Sequence, residues 1–469
     1  MTRLLWIWLF SLTLITACSK DSVKLNSLPQ DRFIQVYFNH RSDNSSYLEP
    51  YRNIERSGDN LESIIVEAIA QANSTIDLAV QELNLPLVAT ALAKSHRSGV
   101  KVRVILDNNY SRSLSELKPA EINRLNQRDR QKYRQLFQLV DLDGDNRLSP
   151  QEIARRDAIA ILTQAGIPII DDTADGSKGS GLMHHKFMVV DGKTVVTGSA
   201  NFTLSGVHGD LNNLATRGNI NHLLEIENTA IADLFTEEFN YMWGDSPNGG
   251  NNSRFGLKKP WRKLKAIAWS DTDSDTDSDT EVMLQFAPTS SSKGWHLSTN
   301  SSISEIINDA TESIDLALFV FSEQKLADTL QQKQREGIKI QGVFDSSFAY
   351  RYYSEVLDML GVTLYLRCQP EADNNPWVNP IDTVGIPTTA PGDKLHHKFA
   401  VIDDRLVISG SHNWSQAANQ NNDETLIAID NPTVARHFVR EFDRLYSSLS
   451  QELPTKIEDK LERQQRECE

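Results

Sequence analysis

Long apolar runs and positive charge are both scarce in this chain of 469 residues. After one apolar stretch near the N-terminus, no segment approaches the roughly 20 apolar residues that a membrane-spanning helix needs. Lysine and arginine number 48 against 63 aspartates and glutamates, which gives a formal net charge of −15. This balance argues against a general nucleic-acid coat protein, which would be basic. It does not exclude a nuclease, because the charge at an active site matters more than the total.

Cysteine is also scarce, and the first of the three cysteines, Cys18, ends an exported-protein signal. Met1-Thr2-Arg3 is a short positive start, and Leu4 to Leu14 is an apolar stretch too short for a comfortable span. Ile15-Thr16-Ala17-Cys18 resembles a bacterial lipobox, which implies cleavage after residue 17 and a lipid anchor on Cys18. With Ser19 rather than Asp next, the resemblance implies a cell-envelope protein, in the outer membrane of a Gram-negative cell. The alternative is an ordinary signal peptide with an incidental cysteine.

One pattern, His-x-Lys-x4-Asp-x6-Gly-Ser-x-Asn, occurs twice at the same spacing. Its copies are His184, Lys186, Asp191, Gly198, Ser199 and Asn201, and His396, Lys398, Asp403, Gly410, Ser411 and Asn413. Residues two apart share a face of a β-strand, so each histidine points the same way as its lysine. A turn follows at the aspartate, and a second strand ends at the glycine, where backbone can approach a phosphate. Two such histidines with two lysines are what splitting a phosphodiester through a covalent phosphohistidine requires.

The similarity between the two halves extends beyond this motif. Asp315 and Asp345 stand 238 residues after Asp77 and Asp107, in matching apolar contexts. Downstream of the motifs, Glu227-Asn228 leading to Glu238-Phe239 corresponds to Asp430-Asn431 leading to Glu441-Phe442. The two motifs themselves are only 212 residues apart, so the first half carries 26 extra residues before its histidine. The chain is therefore an internal duplication with an insert in its first copy.

The doubled motif resembles the HKD motif of the phospholipase D superfamily, and the similarity covers most of the chain after the signal. The resemblance implies an α/β fold of two phospholipase D-like repeats, packed about a pseudo-twofold with both motifs at one central site. Each repeat is expected to be a mixed, mostly parallel sheet flanked by helices, in agreement with the alternation of apolar strands and an amphipathic helix between Ile76 and Leu106. It also implies a monomer with an internal pseudo-dimer.

The resemblance assigns chemical roles, with His184 as the nucleophile and His396 as the general acid and base, although the sequence itself does not separate them. The groups implied to surround the phosphate are Lys186, Lys398, Asn201, Asn413, Ser199 and Ser411. No cofactor is expected for catalysis.

A carboxylate is expected behind each histidine to fix its tautomer. Glu424 matches the family position for this role, whereas the aligned residue of the first half is Asn221, with Glu225 nearby as a substitute. Asp191 and Asp403, which complete the two motifs, are expected to orient turns and strands rather than to contact substrate.

Part of the insert resembles an EF-hand calcium loop. Its expected ligands are Asp141, Asp143, Asp145, the backbone carbonyl of Arg147 and a bidentate Glu152. Position six, normally glycine, is Asn146, which tolerates the left-handed conformation better than other residues. Helices over 120–140 and 151–165 are expected to flank the loop, so the sequence predicts a Ca²⁺ site. An acidic surface loop without metal is the alternative.

The composition between and beyond the repeats sets the expected domain boundaries. These are a tether over 18–30, a first domain over 31–245 with its insert at about 120–165, a linker over 246–280, a second domain over 281–450 and a charged tail over 451–469. In the linker, Leu257 to Lys265 is basic and is expected to be a solvated connector, with contact to anionic lipid or nucleic acid as the alternative. Ser270 to Thr280 alternates Asp with Ser or Thr and predicts a disordered spacer. Cys368 and Cys468 form a disulfide or remain two thiols.

The sequence supports three functions. The leading one is a membrane-anchored phosphodiesterase of the phospholipase D type that releases phospholipid headgroups and transfers some of the phosphatidyl groups to alcohols. The second is an endonuclease that cleaves DNA or RNA by the same chemistry. A catalytically silent binding protein is disfavoured, because both motifs are intact.

Overall fold

The computed structural model describes residues 26–43, 45–271 and 278–468, so the predicted signal peptide and Cys18 lie outside the described residues. Its strands are β1 (Ile34–Phe38), β2 (Ser46–Leu48), β3 (Glu55–Ser57), β4 (Thr75–Val80), β5 (Lys101–Leu106), β6 (Ile169–Asp171), β7 (Lys186–Val190), β8 (Thr194–Gly198), β9 (His222–Glu227), β10 (Lys265–Asp271), β11 (Ser278–Ala287), β12 (Ser313–Leu318), β13 (Phe321–Ser322), β14 (Lys339–Phe344), β15 (Val384–Pro387), β16 (Lys398–Ile402), β17 (Leu406–Gly410), β18 (Trp414–Ser415), β19 (Glu424–Asp430) and β20 (Leu449–Ser450).

The α-helices of the described residues flank these strands. They are α1 (Leu61–Ala70), α2 (Pro86–Arg97), α3 (Pro119–Arg124), α4 (Gln127–Val140), α5 (Pro150–Arg156), α6 (Ala158–Gln164), α7 (Leu204–Val207), α8 (Thr229–Trp243), α9 (Thr299–Asn308), α10 (Gln324–Arg335), α11 (Glu355–Met359), α12 (Gln416–Gln420), α13 (Pro432–Tyr446) and α14 (Thr455–Cys468).

The two halves of the chain form two sheets that share a strand order. The first is β1-β9-β8-β7-β4-β5-β6, and the second is β10-β11-β19-β17-β16-β12-β14-β15-β20. Six strands of the first sheet, from β9 to β6, therefore correspond one by one to the six from β19 to β15. The predicted duplication of a mixed α/β unit is confirmed.

The balance of strand directions differs from the expected mostly parallel sheets. β4 and β12 pair in parallel with β5 and β14, but antiparallel pairings outnumber parallel ones in both sheets. The hairpin within each motif contributes to this excess of antiparallel pairings. A turn of only a few residues joins β7 to β8 and β16 to β17, and so short a connection can join only antiparallel strands.

Three apolar clusters form the interior. One lies within the first half and includes Leu78, and another lies within the second half and includes Leu316. The third combines both halves, with Phe187, Phe399 and residues of α8 and α13 among its members. This shared core holds the two sheets in one fixed arrangement, because apolar surface buried between them stabilises the contact at roughly 25 cal/mol per Å². No helix within residues 26–43, 45–271 and 278–468 is long and apolar enough to cross a bilayer.

The predicted spacer over 270–280 is instead part of a β-hairpin wherever it is described. β10 pairs with β11, and β11 continues into the second sheet through β19, while residues 272–277 lie outside the described residues. The predicted disorder is therefore wrong for residues 270–271 and 278–280. The apolar residues next to them favour strand formation more strongly than the acidic composition disfavours it. Ile267 and Trp269 pack against the shared core, and β19 supplies hydrogen-bond partners.

The charged tail is a helix tied to the second half. The Gln464 amide donates to the carbonyl of Tyr365 and accepts from its N–H, and Cys468 forms a disulfide with Cys368. Of the two alternatives left open by the sequence, the structure has the disulfide. The bridge closes a long loop, which stabilises the fold by reducing the freedom of the unfolded chain.

Candidate active site

The two halves exchange backbone hydrogen bonds where their motifs begin. The His184 N–H donates to the carbonyl of Asp423 at 3.0 Å, and the His396 N–H donates to the carbonyl of Ile220 at 3.0 Å. Each motif histidine is therefore fixed in register with a segment of the opposite half. This reciprocal contact brings both motifs to one central site, as the resemblance implied.

The group behind each histidine also comes from the opposite half. Nδ1 of His184 lies 2.7 Å from Oε2 of Glu424, and Nδ1 of His396 lies 2.9 Å from Oδ1 of Asn221. One histidine thus faces a carboxylate and the other a neutral amide. Glu225 does not take this role, since it lies farther along β9 and pairs with Gln35 of β1.

The motif serines hold these orienting groups. Ser199 Oγ donates to Oδ1 of Asn221 at 2.8 Å, and Ser411 Oγ donates to Oε2 of Glu424 at 2.6 Å. Their hydroxyl hydrogens are thereby engaged behind the histidines, and contact of either serine with a phosphate stays a prediction. The Asn221 amide nitrogen donates to the carbonyl of Gly206 at 2.8 Å, which turns the amide oxygen towards His396.

These partners determine the tautomers. A carboxylate and an amide oxygen are both acceptors, so each histidine carries its hydrogen on Nδ1 and keeps a lone pair on Nε2. Burial lowers the pKa of His184 to about 4, although Glu424 acts in the opposite direction. Burial, and then the charges of Lys398 and Lys186, hold the pKa of His396 well below 6.5. The site therefore contains two neutral imidazoles near pH 7 when no anion is bound.

The motif lysines lie at the bottom of the site, fully buried. Lys186 Nζ donates to the carbonyl of His184 at 2.7 Å, and Lys398 Nζ donates to that of His396 at 2.7 Å. Burial lowers the pKa of Lys186 to about 7 and that of Lys398 well below 10.5. Buried ammonium groups are costly without an anion, so a bound phosphate would stabilise their charged forms.

The motif asparagines keep hydrogen-bonding capacity. Asn201 Nδ2 donates to Oε1 of Gln81 at 3.2 Å, whereas the Oδ1 atoms of Asn201 and Asn413 are buried without a partner among the described residues. Buried polar atoms are normally paired, so these two amides are suited to a bound substrate or water.

The motif aspartates lie outside the site, in the hairpin turns. Asp191 accepts from the backbone N–H groups of Asn73, Ser74 and Thr75 at 2.8–2.9 Å, at the start of β4. Asp403 does the same for residues 311–313 before β12. Both have a positive φ, which places them in the turn. They fasten each motif hairpin to its neighbouring strand, as the sequence suggested.

A second histidine in each motif, which the sequence analysis did not assign, belongs to a buried network of hydrogen bonds around a carboxylate. His185 Nε2 lies 2.8 Å from Glu238, and His397 Nε2 lies 3.0 Å from Glu441. Arg444 pairs with Glu441 at 2.7 Å. The sequence analysis had matched Glu238-Phe239 with Glu441-Phe442. That match predicted that the two glutamates occupy equivalent positions, but it did not predict that they contact the second histidine of each motif.

The corresponding cations of the first half come from the basic segment of the linker. Lys259 and Arg262 both contact Glu238, and Lys259 also lies 2.6 Å from Asp423. Lys259 is only 8% exposed, so the expectation of a solvated connector is wrong for this residue. Glu238 and Asp423 are buried carboxylates, which need nearby cations, and the basic segment of the linker brings Lys259 into contact with both.

The calcium-type loop has three converging carboxylates. Ligand atoms of Asp141, Asp143 and Asp145 all lie within 4.8 Å of one another, and Asn146 adopts a positive φ of 63°. The flanking helices are α4 and α5. This arrangement fits a hard cation, which prefers several oxygen ligands.

The fourth expected carboxylate ligand, Glu152, is engaged elsewhere in the loop. Glu152 accepts from the N–H of Ser149 at 2.8 Å and from that of Leu142 at 2.7 Å, which makes it part of the cap of α5. The N–H of Arg147 donates to Asp145 at 2.7 Å. Glu152 would have to exchange these bonds for a cation.

Comparison with known proteins agrees with this geometry. Residues 65–243 and 303–446 match the family described as "Cardiolipin synthase, PLD-like domain". Human mitochondrial cardiolipin hydrolase is 29% identical over 147 residues, which are 31% of this chain and 49% of that protein. A phospholipase D of Rickettsia prowazekii (strain Madrid E) is 26% identical over 175 residues, 37% of this chain and 58% of the relative. The chain thus spans about half the length of the curated relatives that it matches.

The fold comparison extends over nearly the whole chain. The crystal structure of phosphatidylserine synthase from Haemophilus influenzae Rd KW20 superposes with a TM-score of 0.51 at 14% identity and covers 94% of both chains. At this identity the likeness concerns the fold alone. The family match covers more than half of the chain and includes both motifs, so the protein belongs to the family of the PLD-like domain of cardiolipin synthase.

Proposed function

We propose that the protein is a phosphodiesterase of the phospholipase D type, which hydrolyses phospholipid headgroups through a phosphohistidine. The observation that carries this proposal is the pair of motif histidines, each with its Nδ1 hydrogen-bonded and its Nε2 left with a lone pair. Two imidazoles of this kind beside two buried lysines supply a nucleophile, a proton donor and a positive field for one phosphate.

The unequal partners assign the two roles. A nucleophilic imidazole becomes positively charged when its Nε2 bonds to phosphorus, and a carboxylate behind it stabilises that charge. Glu424 stands behind His184, which supports His184 as the nucleophile. A neutral amide leaves an imidazolium more acidic and therefore a better proton donor, so Asn221 fits His396 as the acid.

The reaction proceeds in two steps. His184 Nε2 forms a bond to phosphorus while the bond to the leaving alcohol breaks, and protonated His396 gives its proton to the alcohol oxygen. Water then attacks phosphorus, His396 takes a proton from that water, and the phosphorus–nitrogen bond breaks. An alcohol in place of water gives transphosphatidylation. The ammonium groups of Lys186 and Lys398 stabilise the charge on the phosphate oxygens.

A lipid substrate is supported by the similarity to a mitochondrial cardiolipin hydrolase and to a phospholipase D. The test is an assay of the chain without residues 1–18 on phosphatidylethanolamine and phosphatidylglycerol vesicles, with plasmid DNA in parallel. We expect release of headgroups and no cleavage of DNA. Cleavage of DNA without lipid turnover would overturn the lipid proposal and favour the endonuclease.

We further propose that the enzyme acts as a monomer on a membrane surface of the bacterial envelope, to which it is anchored through Cys18. The support is the lipobox-like segment that ends at Cys18 and the presence of both motifs in one chain. A Cys18→Ser variant of the full chain is expected to lose the mass of the lipid anchor and to leave the membrane fraction. If the variant carried the same added mass as the parent chain, the proposed lipid attachment at Cys18 would be contradicted.

Calcium binding to the insert is a separate proposal. The convergence of Asp141, Asp143 and Asp145 supports it, and the loss of one carboxylate removes a ligand. Millimolar Ca²⁺ is expected to raise the melting temperature of the protein by a few degrees through linkage, and Asp141→Ala is expected to abolish this rise. An exposed acid outside the loop, Glu336, supplies the control variant Glu336→Ala, which should respond like the parent. Equal melting with calcium and with chelator would contradict the proposal.

The pH dependence of kcat/KM follows from the two histidines. His184 must be neutral, and the pKa of its imidazole is about 4, so activity rises as pH increases through that value. His396 must be protonated, and its pKa is held well below 6.5, so activity falls again before neutrality. We therefore expect an optimum between about pH 4 and 6.5 for a soluble short-chain phospholipid, whose alkoxide leaving group needs the acid and on which surface binding has no influence. An optimum above pH 8 would contradict these assignments.

A further inference from the structure

The duplication places different side chains at two equivalent edges of the site. Gln81 follows β4, and its N–H donates to the carbonyl of His185 at 3.0 Å. Phe319 follows β12, and its N–H donates to the carbonyl of His397 at 2.8 Å. The two residues thus occupy the same position relative to the two motif strands, but one is polar and the other aromatic.

The edge around Gln81 is polar throughout. Gln81 accepts from the amide of Asn201, and the next residue, Glu82, pairs with Lys132 of α4 at 2.8 Å. Lys132 also donates to the hydroxyl of Tyr110 at 2.9 Å. These side chains bind one another, so this edge is a closed hydrogen-bonded network.

The edge around Phe319 is aromatic. The Phe319 ring centroid lies 4.7 Å from that of His396 and 4.8 Å from that of Phe348. Phe348 is the duplicate of Tyr110, 238 residues later, but it has no hydroxyl. Both phenylalanines are only partly buried, and Phe319 is in contact with the ring of His396.

Two ammonium groups accompany this aromatic edge. Lys398 Nζ lies 5.0 Å and Lys394 Nζ lies 6.0 Å from the Phe319 centroid. Lys394 is half-buried, and its Nζ donates to the neutral hydroxyl of Ser347 at 2.7 Å. The electron-rich face of Phe319 is thus already engaged by cations, and a further cation there would meet like charge.

The position of the aromatic edge next to His396 places it beside the leaving alcohol of the substrate. In the proposed reaction the leaving alcohol must lie within hydrogen-bond reach of the acid, His396. The alcohol is therefore placed beside Phe319, while the retained part of the substrate extends from the other side of phosphorus.

We infer that Phe319, Phe348 and Lys394 form the subsite for the leaving alcohol and select neutral or anionic alcohols over quaternary ammonium alcohols. The rings provide an apolar surface for the carbon skeleton of the alcohol and exclude water from the breaking bond. Lys394 attracts a negative or hydroxyl-rich group and repels a trimethylammonium group. The inference rests on the proposed function and specifies its substrate class.

The experiment compares kcat/KM for two short-chain monomeric lipids, dihexanoyl phosphatidylglycerol and dihexanoyl phosphatidylcholine, which removes effects of surface charge. The parent chain is expected to favour phosphatidylglycerol. Lys394→Glu is expected to lower the ratio of the two kcat/KM values by about tenfold, because it reverses the charge beside the alcohol. Lys394→Gln should give an intermediate ratio and serves if the glutamate variant does not fold.

The matched control is Lys325→Glu, which removes a lysine from the face of another ring, that of Trp295. It should keep the parent ratio. An unchanged ratio in both Lys394 variants, or a parent preference for phosphatidylcholine, would overturn the subsite. Absence of turnover of both lipids, with intact hydrolysis of a chromogenic diester, would overturn the proposed lipid function and this inference with it.

Discussion

Replacement of His184 by alanine is expected to lower kcat/KM for phosphodiester hydrolysis by about 10⁴-fold or more, as removal of a covalent nucleophile does in other enzymes. The physical reason is that no other group of the site provides a neutral nitrogen directed by a carboxylate. Water would have to attack the phosphate directly. The loss is to be measured with a soluble chromogenic diester and with phospholipid, since both reactions require the phosphohistidine.

His396→Ala provides the comparison that separates the two histidines. It should be as inactive as His184→Ala on a phospholipid, whose alkoxide leaving group needs a proton. With a p-nitrophenyl diester the leaving group needs no acid, so His396→Ala should still form the covalent intermediate, which mass spectrometry would detect as phosphorylated His184. His184→Ala should form none. The exposed His296 supplies the control His296→Ala, and trapping of the intermediate on His396 would reverse the assignment.

Glu424→Gln is expected to have the largest effect outside the two motif histidines, a fall of roughly 10²–10⁴-fold in kcat, by analogy with the loss of an orienting carboxylate behind other catalytic histidines. The carboxylate raises the pKa of His184 and stabilises the charge that this ring acquires. Its removal should therefore move the acid limb of the pH–rate profile below its value of about 4. Glutamine keeps a side-chain oxygen of the same reach, so Ser411 retains a hydrogen-bond acceptor.

The matched variant on the other side is Asn221→Asp. It places a carboxylate behind His396, which raises the pKa of that ring and should shift the alkaline limb of the profile to higher pH. The two variants are thus expected to move opposite limbs, one down and one up. A purely structural role for both residues would lower activity without moving either limb, and that result would contradict the assignment. Melting temperatures measured alongside would identify loss of folding.

The doubled motif was readable from the sequence because its geometry is local. His184 and Lys186 share a strand face by the two-residue period, and the turn at Asp191 follows from residue type. The constant spacing between the halves likewise predicted equivalent strands. The hairpin formed by β10 and β11 was missed, because its acidic composition is typical of disorder and its pairing partner, β19, is about 140 residues away in sequence.

The sequence by itself predicted the proposed reaction type and located the two motif histidines with their lysines and the duplicated α/β unit, since all of these depend on spacing within a strand and turn. Only the tertiary structure decided which group orients which histidine. Glu424 lies 240 residues from His184, and Asn221 lies 175 residues from His396. No local rule selects between such distant partners, because the packing of the two halves against a shared core makes that choice. The same packing placed Phe319 and Gln81 at equivalent edges and so gave a symmetric motif an asymmetric site.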